Sequence, residues 1–201
     1  MTDTIMPSFN VAEREGSLIG RLLAGYGELE LEMAACAMAA NSEDLDMVIK
    51  KLFSTRGEYK RIVVGDKLMK QQFEAAQLGK TYTRTIKNMH FCREVRNQYA
   101  HCNWHHTASE GLSFIDLERV AKWPRRVIRL TRYRRPLSVE LLERQEAYFR
   151  YVQKCFWHLA EAYKIKIGAI LNNPLWPRPA TVARPPKHLR FKWQPSREHR
   201  L

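Results

Sequence analysis

The stretch that decides the fold of this chain runs from Cys92 to Trp104 and reads Cys-Arg-Glu-Val-Arg-Asn-Gln-Tyr-Ala-His-Cys-Asn-Trp. On an α-helix, which turns about 100° per residue, the side chains of this region fall on two faces. The polar face carries His90, Glu94, Asn97 and His101. The opposite, apolar face carries Phe91, Cys92, Val95 and Tyr99. The pattern predicts a helix over about 81–102 that packs one side on a core and leaves a polar stripe open.

Apolar residues at helical spacing predict further helices on both sides of this one. Upstream, the expected helices cover 17–40, about 44–53 and 57–78, with Gly79 as the C-cap of the third and Gly20, Gly25 and Gly27 at a close helix crossing. Downstream, a long helix is expected from Val139 to about 167. Between them, 105–111 reads as a loop, and the runs 112–120 and 127–133 read as a hairpin or an irregular excursion. The predicted fold class is all-α, a bundle of four to five helices with this short insertion after the motif helix.

Composition narrows the class of protein. Hydrophobic residues make up 45% and charged residues 27%, which is typical of a globular chain and excludes a wholly disordered one. No apolar run is long enough to cross a bilayer, and the first residues do not resemble a secretory signal. The four cysteines lack C-x-x-C spacing. We therefore expect reduced thiols in a cytoplasmic protein with no membrane partner.

The charge indicates a polyanionic partner. Lys and Arg number 34 against 21 Asp and Glu, a net charge of +13. A field of this sign attracts nucleic acid, although simple solubility is the alternative. Eight of these cations lie in 119–135 without an acidic residue among them, so they repel one another unless a polyanion is near. Together with Arg93, the candidate nucleic-acid-binding residues are Arg119, Lys122, Arg125, Arg126, Arg129, Arg132, Arg134 and Arg135.

The chain divides into a helical domain, 1–171, and a tail, 172–201. The tail holds six of the nine prolines and seven Lys or Arg against one Glu. This composition predicts an extended or partly disordered basic arm. Trp176, Phe191 and Trp193 lie among the basic residues, so the tail stacks on bases, docks on a partner, or packs back on its own bundle.

The hexapeptide Arg96-Asn97-Gln98-Tyr99-Ala100-His101, followed by Trp104, resembles the R-x4-6-H motif of the HEPN superfamily. The resemblance covers roughly residues 12–167. It implies an HEPN-like all-α bundle with the motif on a late core helix, and a homodimer in which two motifs meet in a cleft. It also implies a metal-independent ribonuclease without a cofactor, such as a toxin or defence effector, with an antitoxin as a possible partner.

The chemistry of RNA cleavage suits these residue types. Histidine titrates near neutral pH, so His101 is assigned as general base or acid. Arg96 is assigned to the scissile phosphate, because a guanidinium binds phosphate bidentately. Asn97 would orient His101 or bind the phosphate, and Glu94 would polarise a histidine or pair with Arg96 or Arg93. The expected product ends are a 2′,3′-cyclic phosphate and a 5′-hydroxyl.

Three other interpretations stay open on sequence alone. Arg96 could hold helices together while His101 caps a helix end. The cleft of such a protein could bind RNA or a partner without cleaving anything. A zinc site is conceivable because His101 and His105 are four residues apart, as are Cys102 and His106. No glycine-rich phosphate loop or dinucleotide motif is present.

Overall fold

Helix α2, Glu13–Asn41, and helix α7, Val139–Lys166, pack along each other and form the longest helical pair of the fold. In the computed structural model, residues 7–41, 44–122, 130–171 and 177–188 are described. Helix α4, Glu58–Ala75, and helix α5, Gly79–Ala100, pack against each other and against α2. Because α5 also contacts α7, the four long helices enclose one core. Three shorter helices are α1 (Pro7–Val11), α3 (Leu45–Phe53) and α6 (Leu117–Ala121).

The core is built from the apolar stripes of these four helices. Leu22 of α2, Phe73 of α4, Val95 of α5 and Phe156 of α7 are each almost completely buried. Burial of such side chains is the main favourable contribution to folding. In the part of the chain that the structure describes, no helix combines the length and the hydropathy of a bilayer span.

The predicted helices are confirmed, with shifts at their ends. Helix α2 begins four residues before the expected start at Ser17, and α1 precedes it. The expectation for Gly79 is wrong, because α4 already ends at Ala75 and Gly79 is the first residue of α5. The left-handed backbone that reverses the chain lies at Gln77, with φ of 62°. Gly168, with φ of 73°, follows Ile167, the C-cap residue of α7, which is the usual position of a helix-terminating glycine.

The close helix crossing involves a different glycine from the three that the sequence suggested. A Cβ added at Gly20, Gly25 or Gly27 would meet nothing within 4 Å among the described atoms. At Gly65 of α4, the same Cβ would lie 2.9 Å from Sδ of Met33. The absence of a side chain at Gly65 therefore leaves room for Met33 of α2 against α4.

A small antiparallel sheet follows the motif helix, where the all-α prediction placed only a short hairpin or irregular insertion. Strand β1, Asn103–Thr107, pairs with β2, Gly111–Ile115, in a register that sets Trp104 opposite Phe114. Strand β3, Arg135–Pro136, adds to the far edge of β2. The fold is therefore mostly helical with a three-stranded sheet.

The position of the hairpin was predicted wrongly. Residues 105–107, expected in a loop, belong to β1, and the first expected run, 112–120, divides into β2 and α6. Of the second run, 130–133 form a 3₁₀ turn and 127–129 lie outside the described residues. The sequence Asn-Trp-His-His-Thr of β1 has one apolar residue and no alternation, so only its backbone pairing with β2 makes it a strand.

The start of α7 depends on one side-chain hydrogen bond, which leads to a stability prediction. Ser138 is the N-cap, and its hydroxyl oxygen accepts a 3.2 Å bond from the backbone N–H of Leu141. We expect Ser138→Ala to lower the free energy of unfolding in urea by about 1 kcal/mol, because this N–H loses its partner. Ser17→Ala removes only an exposed side-chain hydrogen bond from Arg21, so this control should change the free energy of unfolding by less than about 0.5 kcal/mol. Equal effects in the two variants would contradict the capping role.

Candidate functional site

The candidate residues of the motif helix α5 differ in their burial. Arg93, Arg96 and Asn97 are half-buried, whereas Glu94 is exposed. His101 is the C-cap residue, immediately after the last helical turn, and its side chain is exposed. The buried residues of α5, among them Val95 and Tyr99, hold the opposite side of the helix in the core.

Arg96 is held by two partners. Its Nη1 donates a 3.2 Å hydrogen bond to Oδ1 of the neighbouring Asn97. The same atom lies 3.1 Å from Oε1 of Glu58, and both side chains of this ion pair are 26% exposed. Glu58 is the first residue of α4, directly after Gly57, whose φ of 93° turns the chain into the helix. The packing of α4 on α5 thus orients the guanidinium toward a partially open surface.

Arg93 lies one turn before Asn97 and contacts α4 through an aromatic ring. Its guanidinium carbon is 4.9 Å from the centre of the Tyr59 ring, within cation–π distance. The Tyr59 ring also lies near His90, at 5.6 Å between ring centres. Nε of Arg93 is buried and has no hydrogen-bond partner among the described residues. Arg93 therefore retains an unused donor beside Arg96.

An ion pair and a buried hydroxyl lie near these arginines, at the interface of α2 and α4. Arg61 donates from Nε and another nitrogen to the two carboxylate oxygens of Glu30, at 2.7 and 3.1 Å. Beside this pair is the hydroxyl of Tyr26, which is buried and lacks a hydrogen-bond partner in the described chain. Burial, and then the carboxylates of Glu30 and Glu58, raise the pKa of Tyr26 far above its usual range. Charged side chains are therefore present both at the motif and in the interface of α2 and α4.

His90 provides a pH-dependence prediction for this side of α5. Burial, and then the nearby Arg93 charge, lower the pKa of His90, whereas Glu94 and Asp66 oppose the shift more weakly. The folded protein then binds fewer protons than the unfolded chain, so stability falls as the pH drops from about 6.5 through the lowered pKa. We expect His90→Gln to show a smaller loss of unfolding free energy between pH 7.5 and 5.5 than the parent. An unchanged loss would show that His90 does not carry this dependence.

Glu94 has a partner that sequence reasoning did not consider. It does not pair with Arg93 or Arg96 in the structure, but with Nζ of Lys187. Lys187 belongs to the C-terminal segment, defined here as residues 177–188, which lies against α5 and α7. Its backbone oxygen accepts hydrogen bonds from the side-chain amides of Gln98 and Gln145. A cation from the tail is therefore placed on the polar stripe of the motif helix.

Arg184 and Pro185 fix the middle of the C-terminal segment. Arg184 donates to Asn88 at 3.2 Å and to the hydroxyl of Tyr148 at 3.4 Å, and its guanidinium lies 5.0 Å from the centre of the Phe91 ring. Pro185 is buried. This part of the tail packs on the bundle through arginine and proline. The aromatic residues suggested for that role, Trp176, Phe191 and Trp193, lie outside the described residues.

His101 stands apart from the arginine pairs. In the part of the chain that the structure describes, no hydrogen bond or ion pair joins its imidazole to another residue. Trp104, three residues later, packs against Phe9, Tyr99 and Phe114, with ring centres 5.1 to 5.8 Å apart. These contacts fix the chain on both sides of His101, while the imidazole itself stays accessible to solvent.

The basic block, 119–135, is only partly described. Lys122 lies 4.0 Å from Glu118, and Arg134 lies 3.9 Å from Glu110, so these two cations have acidic neighbours outside the block. Arg135 packs over the Phe114 ring at 5.9 Å. Arg125, Arg126 and Arg129 lie outside the described residues, as do the side chains of Arg119 and Arg132. The block joins the sheet through β3, which connects it to the end of the motif helix.

The structure brings together Arg96, Asn97 and Glu58, and separately Glu94 and Lys187. Glu58 and Lys187 were missed because each comes from a distant part of the chain and has no motif of its own. Among the described residues, no three His, Cys, Asp or Glu side chains converge as metal ligands would, His105 and His106 included. All four cysteines are free thiols.

Comparison of this sequence and structure with known proteins gives no relative. No protein-family model, no curated protein and no solved structure matches the chain.

Proposed function

We propose that this protein is a metal-independent endoribonuclease of the HEPN type. The observation that carries the proposal is the solvent-exposed imidazole of His101, one helical turn beyond the coupled side chains of Arg96 and Asn97. An exposed imidazole can exchange protons with substrate, and a guanidinium held by fixed partners is already oriented for a phosphate. The net charge of +13 favours the approach of RNA.

The proposed reaction is an internal transesterification. His101 takes the proton of the ribose 2′-hydroxyl, and the 2′-oxygen forms a bond to phosphorus. The bond from phosphorus to the 5′-oxygen breaks, and that oxygen leaves as a 5′-hydroxyl after receiving a proton. Arg96 stabilises the charge that gathers on the phosphoryl oxygens. A homodimer with two facing motifs would supply the second imidazole for the leaving oxygen, and a cytoplasmic site of action is compatible with the free thiols.

Analysis of the product ends tests this proposal. Purified protein is incubated with a single-stranded RNA in EDTA, and the products are examined for the groups at their termini. We expect cleavage that yields 2′,3′-cyclic phosphate and 5′-hydroxyl ends. The same sequence with 2′-O-methyl groups should stay intact, because the attacking hydroxyl is blocked. Cleavage of the 2′-O-methyl RNA, or no cleavage of the RNA by the homodimer, would refute the proposal.

A second candidate function is a helical module that binds RNA or a protein such as an antitoxin without cleaving a substrate. It is favoured by the ion pairs of Arg96 with Glu58 and of Glu94 with Lys187, since charges already neutralised within the chain are less available for catalysis. This function predicts salt-sensitive RNA binding without product formation. Removal of Arg125, Arg126, Arg129 or Arg132 would then reduce the dependence of log K on log salt concentration.

A further inference from the structure

Three helices meet beside the motif, and each contributes two polar side chains that lie one turn apart. These residues are Tyr26 and Glu30 of α2, Glu58 and Arg61 of α4, and Arg93 and Arg96 of α5. The ion pair of Arg61 with Glu30 joins α2 to α4. The ion pair of Arg96 with Glu58 joins α4 to α5. Within the described ranges, no hydrogen bond joins the other two residues, Tyr26 of α2 and Arg93 of α5.

Tyr26 and Arg93 each bury a donor that has no acceptor among the described residues. The Tyr26 side chain is 2% exposed, and its hydroxyl and the Nε of Arg93 are both buried without a partner. Burial, and then the carboxylates of Glu30 and Glu58, raise the pKa of Tyr26 far above its usual range, so the hydroxyl keeps its proton. Buried donors are nearly always bonded in native proteins, because an unpaired one destabilises the fold. Two such donors beside one candidate site therefore call for an acceptor in another state of the protein.

Glu58 is the carboxylate of this cluster that can supply that acceptor. Both oxygens of Glu30 already accept from Arg61, at 2.7 and 3.1 Å. Glu58 uses Oε1, which lies 3.1 Å from Arg96, and its Oε2 makes no hydrogen bond or ion pair with the described residues. The Glu58 charge already acts on the hydroxyl of Tyr26. Because Glu58 is the first residue of α4 and its side chain is 26% exposed, the carboxylate has room to rotate.

We propose that Glu58 changes partners when Arg96 binds an RNA phosphate. In the free protein the carboxylate holds Arg96 in place. In the complex the phosphate replaces it there, and the carboxylate accepts hydrogen bonds from the hydroxyl of Tyr26 and from Nε of Arg93. This inference rests on the proposed function, since it assigns the phosphate to Arg96. Tyr26 and Glu58 are then positioning residues, which favour the bound state without touching the RNA.

The first test compares stability with affinity in Tyr26→Phe. The probe is a fluorescein-labelled, single-stranded 2′-O-methyl RNA of about 12 nucleotides, which cannot undergo transesterification, and binding is measured by fluorescence anisotropy. We expect Tyr26→Phe to raise the melting temperature of the free protein by about 2–4 °C, because an unpaired buried hydroxyl is removed. The same variant should bind the RNA about three- to tenfold more weakly, because the bound state loses a hydrogen bond to a carboxylate.

Tyr163→Phe is the matched control, because it removes the same hydroxyl from a buried tyrosine on α7. The Tyr163 hydroxyl donates to the backbone oxygen of Ala40 at 3.1 Å. This control should lower the melting temperature and leave RNA binding unchanged. A lower melting temperature in Tyr26→Phe, or binding as tight as that of the parent, would overturn the proposal. Equal weakening by Tyr163→Phe would overturn it as well.

A double-mutant cycle identifies the acceptor. In the Glu58→Ala background, Tyr26→Phe should weaken RNA binding by less than about 1.5-fold, because the carboxylate that receives the hydroxyl is already absent. An undiminished effect of Tyr26→Phe in that background would show that another group, such as an ordered water, is the acceptor, and the proposal would fall.

Nuclear magnetic resonance follows the hydroxyl directly. In protein labelled with ¹³C at the tyrosine Cζ position, the resonance that disappears in Tyr26→Phe belongs to Tyr26. We expect this resonance to shift when the RNA is added to the parent, and to stay in place when it is added to Glu58→Ala. A resonance that does not move in the RNA-bound parent would contradict the exchange.

Failure of this inference and failure of the proposed ribonuclease are distinguishable. If the parent cleaves RNA and Tyr26→Phe binds and cleaves equally well, the exchange fails and the enzyme remains. If Tyr26→Phe weakens binding but the parent cleaves nothing, the exchange remains and the enzyme fails. If both hold, Tyr26→Phe should raise KM about three- to tenfold and leave kcat within about twofold, because the exchange is complete before the chemical step. A parent that does not bind the RNA refutes the exchange.

Discussion

Replacing His101 by alanine should lower the rate of RNA cleavage by about 10²- to 10⁴-fold, the usual contribution of a general acid or base. The fold should be unaffected, because the side chain is exposed and makes no hydrogen bond within the described residues. The unfolding transition of His101→Ala should therefore coincide with that of the parent. His106→Ala, in strand β1, is the matched control and should cleave at the rate of the parent.

Substitution of Arg96 should lower the rate of RNA cleavage by a similar factor, even when the positive charge is kept. We expect Arg96→Lys to lose about 10²- to 10³-fold in kcat, because lysine keeps the charge near Glu58 but cannot bind the phosphate bidentately. The chosen substitution retains an ion-pair partner for Glu58, so that loss of activity is not caused by loss of folding. If Arg96 serves only to join α4 and α5, Arg96→Lys will retain nearly full activity. Full activity in both His101→Ala and Arg96→Lys would remove the motif from the catalytic mechanism.

Replacing Gln145 by leucine should lower the free energy of unfolding by about 1–3 kcal/mol, because the buried hydroxyl of Tyr99 loses its 2.7 Å acceptor. Gln145 is completely buried in α7. Its Oε1 accepts a 2.7 Å hydrogen bond from the hydroxyl of Tyr99, and its Nε2 donates to the backbone oxygens of Pro186 and Lys187 at 3.0 and 2.9 Å. One amide thus joins α7, the motif helix and the C-terminal segment.

The loss of stability should be detected first at the C-terminal segment, near Pro186 and Lys187. Trypsin should cleave after Lys187 faster in Gln145→Leu than in the parent, since both hydrogen bonds from Gln145 to the segment are gone. Gln153→Leu is the control on the same helix. Its amide is half-buried and donates to Glu32 at 3.2 Å, so its loss should cost less than about 1 kcal/mol. Equal stability and equal cleavage in the two variants would contradict the role assigned to Gln145.

The helices could be predicted because the spacing of apolar residues within each segment shows which of its faces is buried. Apolar residues at helical spacing predicted a helix over 81–102, and the helix predicted to begin at Val139 begins there in the structure. The exposed position of His101 and Glu94 also followed from the periodicity of α5 alone. These features depend on residues within a few turns of one another, which is the range that a sequence pattern encodes.

Other features depend on residues far apart in the chain. Strand β1 has no alternating pattern, and it exists because β2 offers a backbone partner at its edge. Glu58 reaches Arg96 across 38 positions of sequence, and Lys187 reaches Glu94 across 93. No local pattern specifies which carboxylate will meet which cation among 34 basic residues.

The sequence by itself therefore determined the long helices, the division of α5 into an apolar and a polar side, and the strong positive charge. Tertiary structure alone decided that Arg96 is oriented by Glu58 and that Glu94 meets a lysine from the tail. The physical reason is that helix formation responds to neighbours along the chain. Ion pairs and clefts depend instead on which surfaces the packed core brings within a few ångströms of each other.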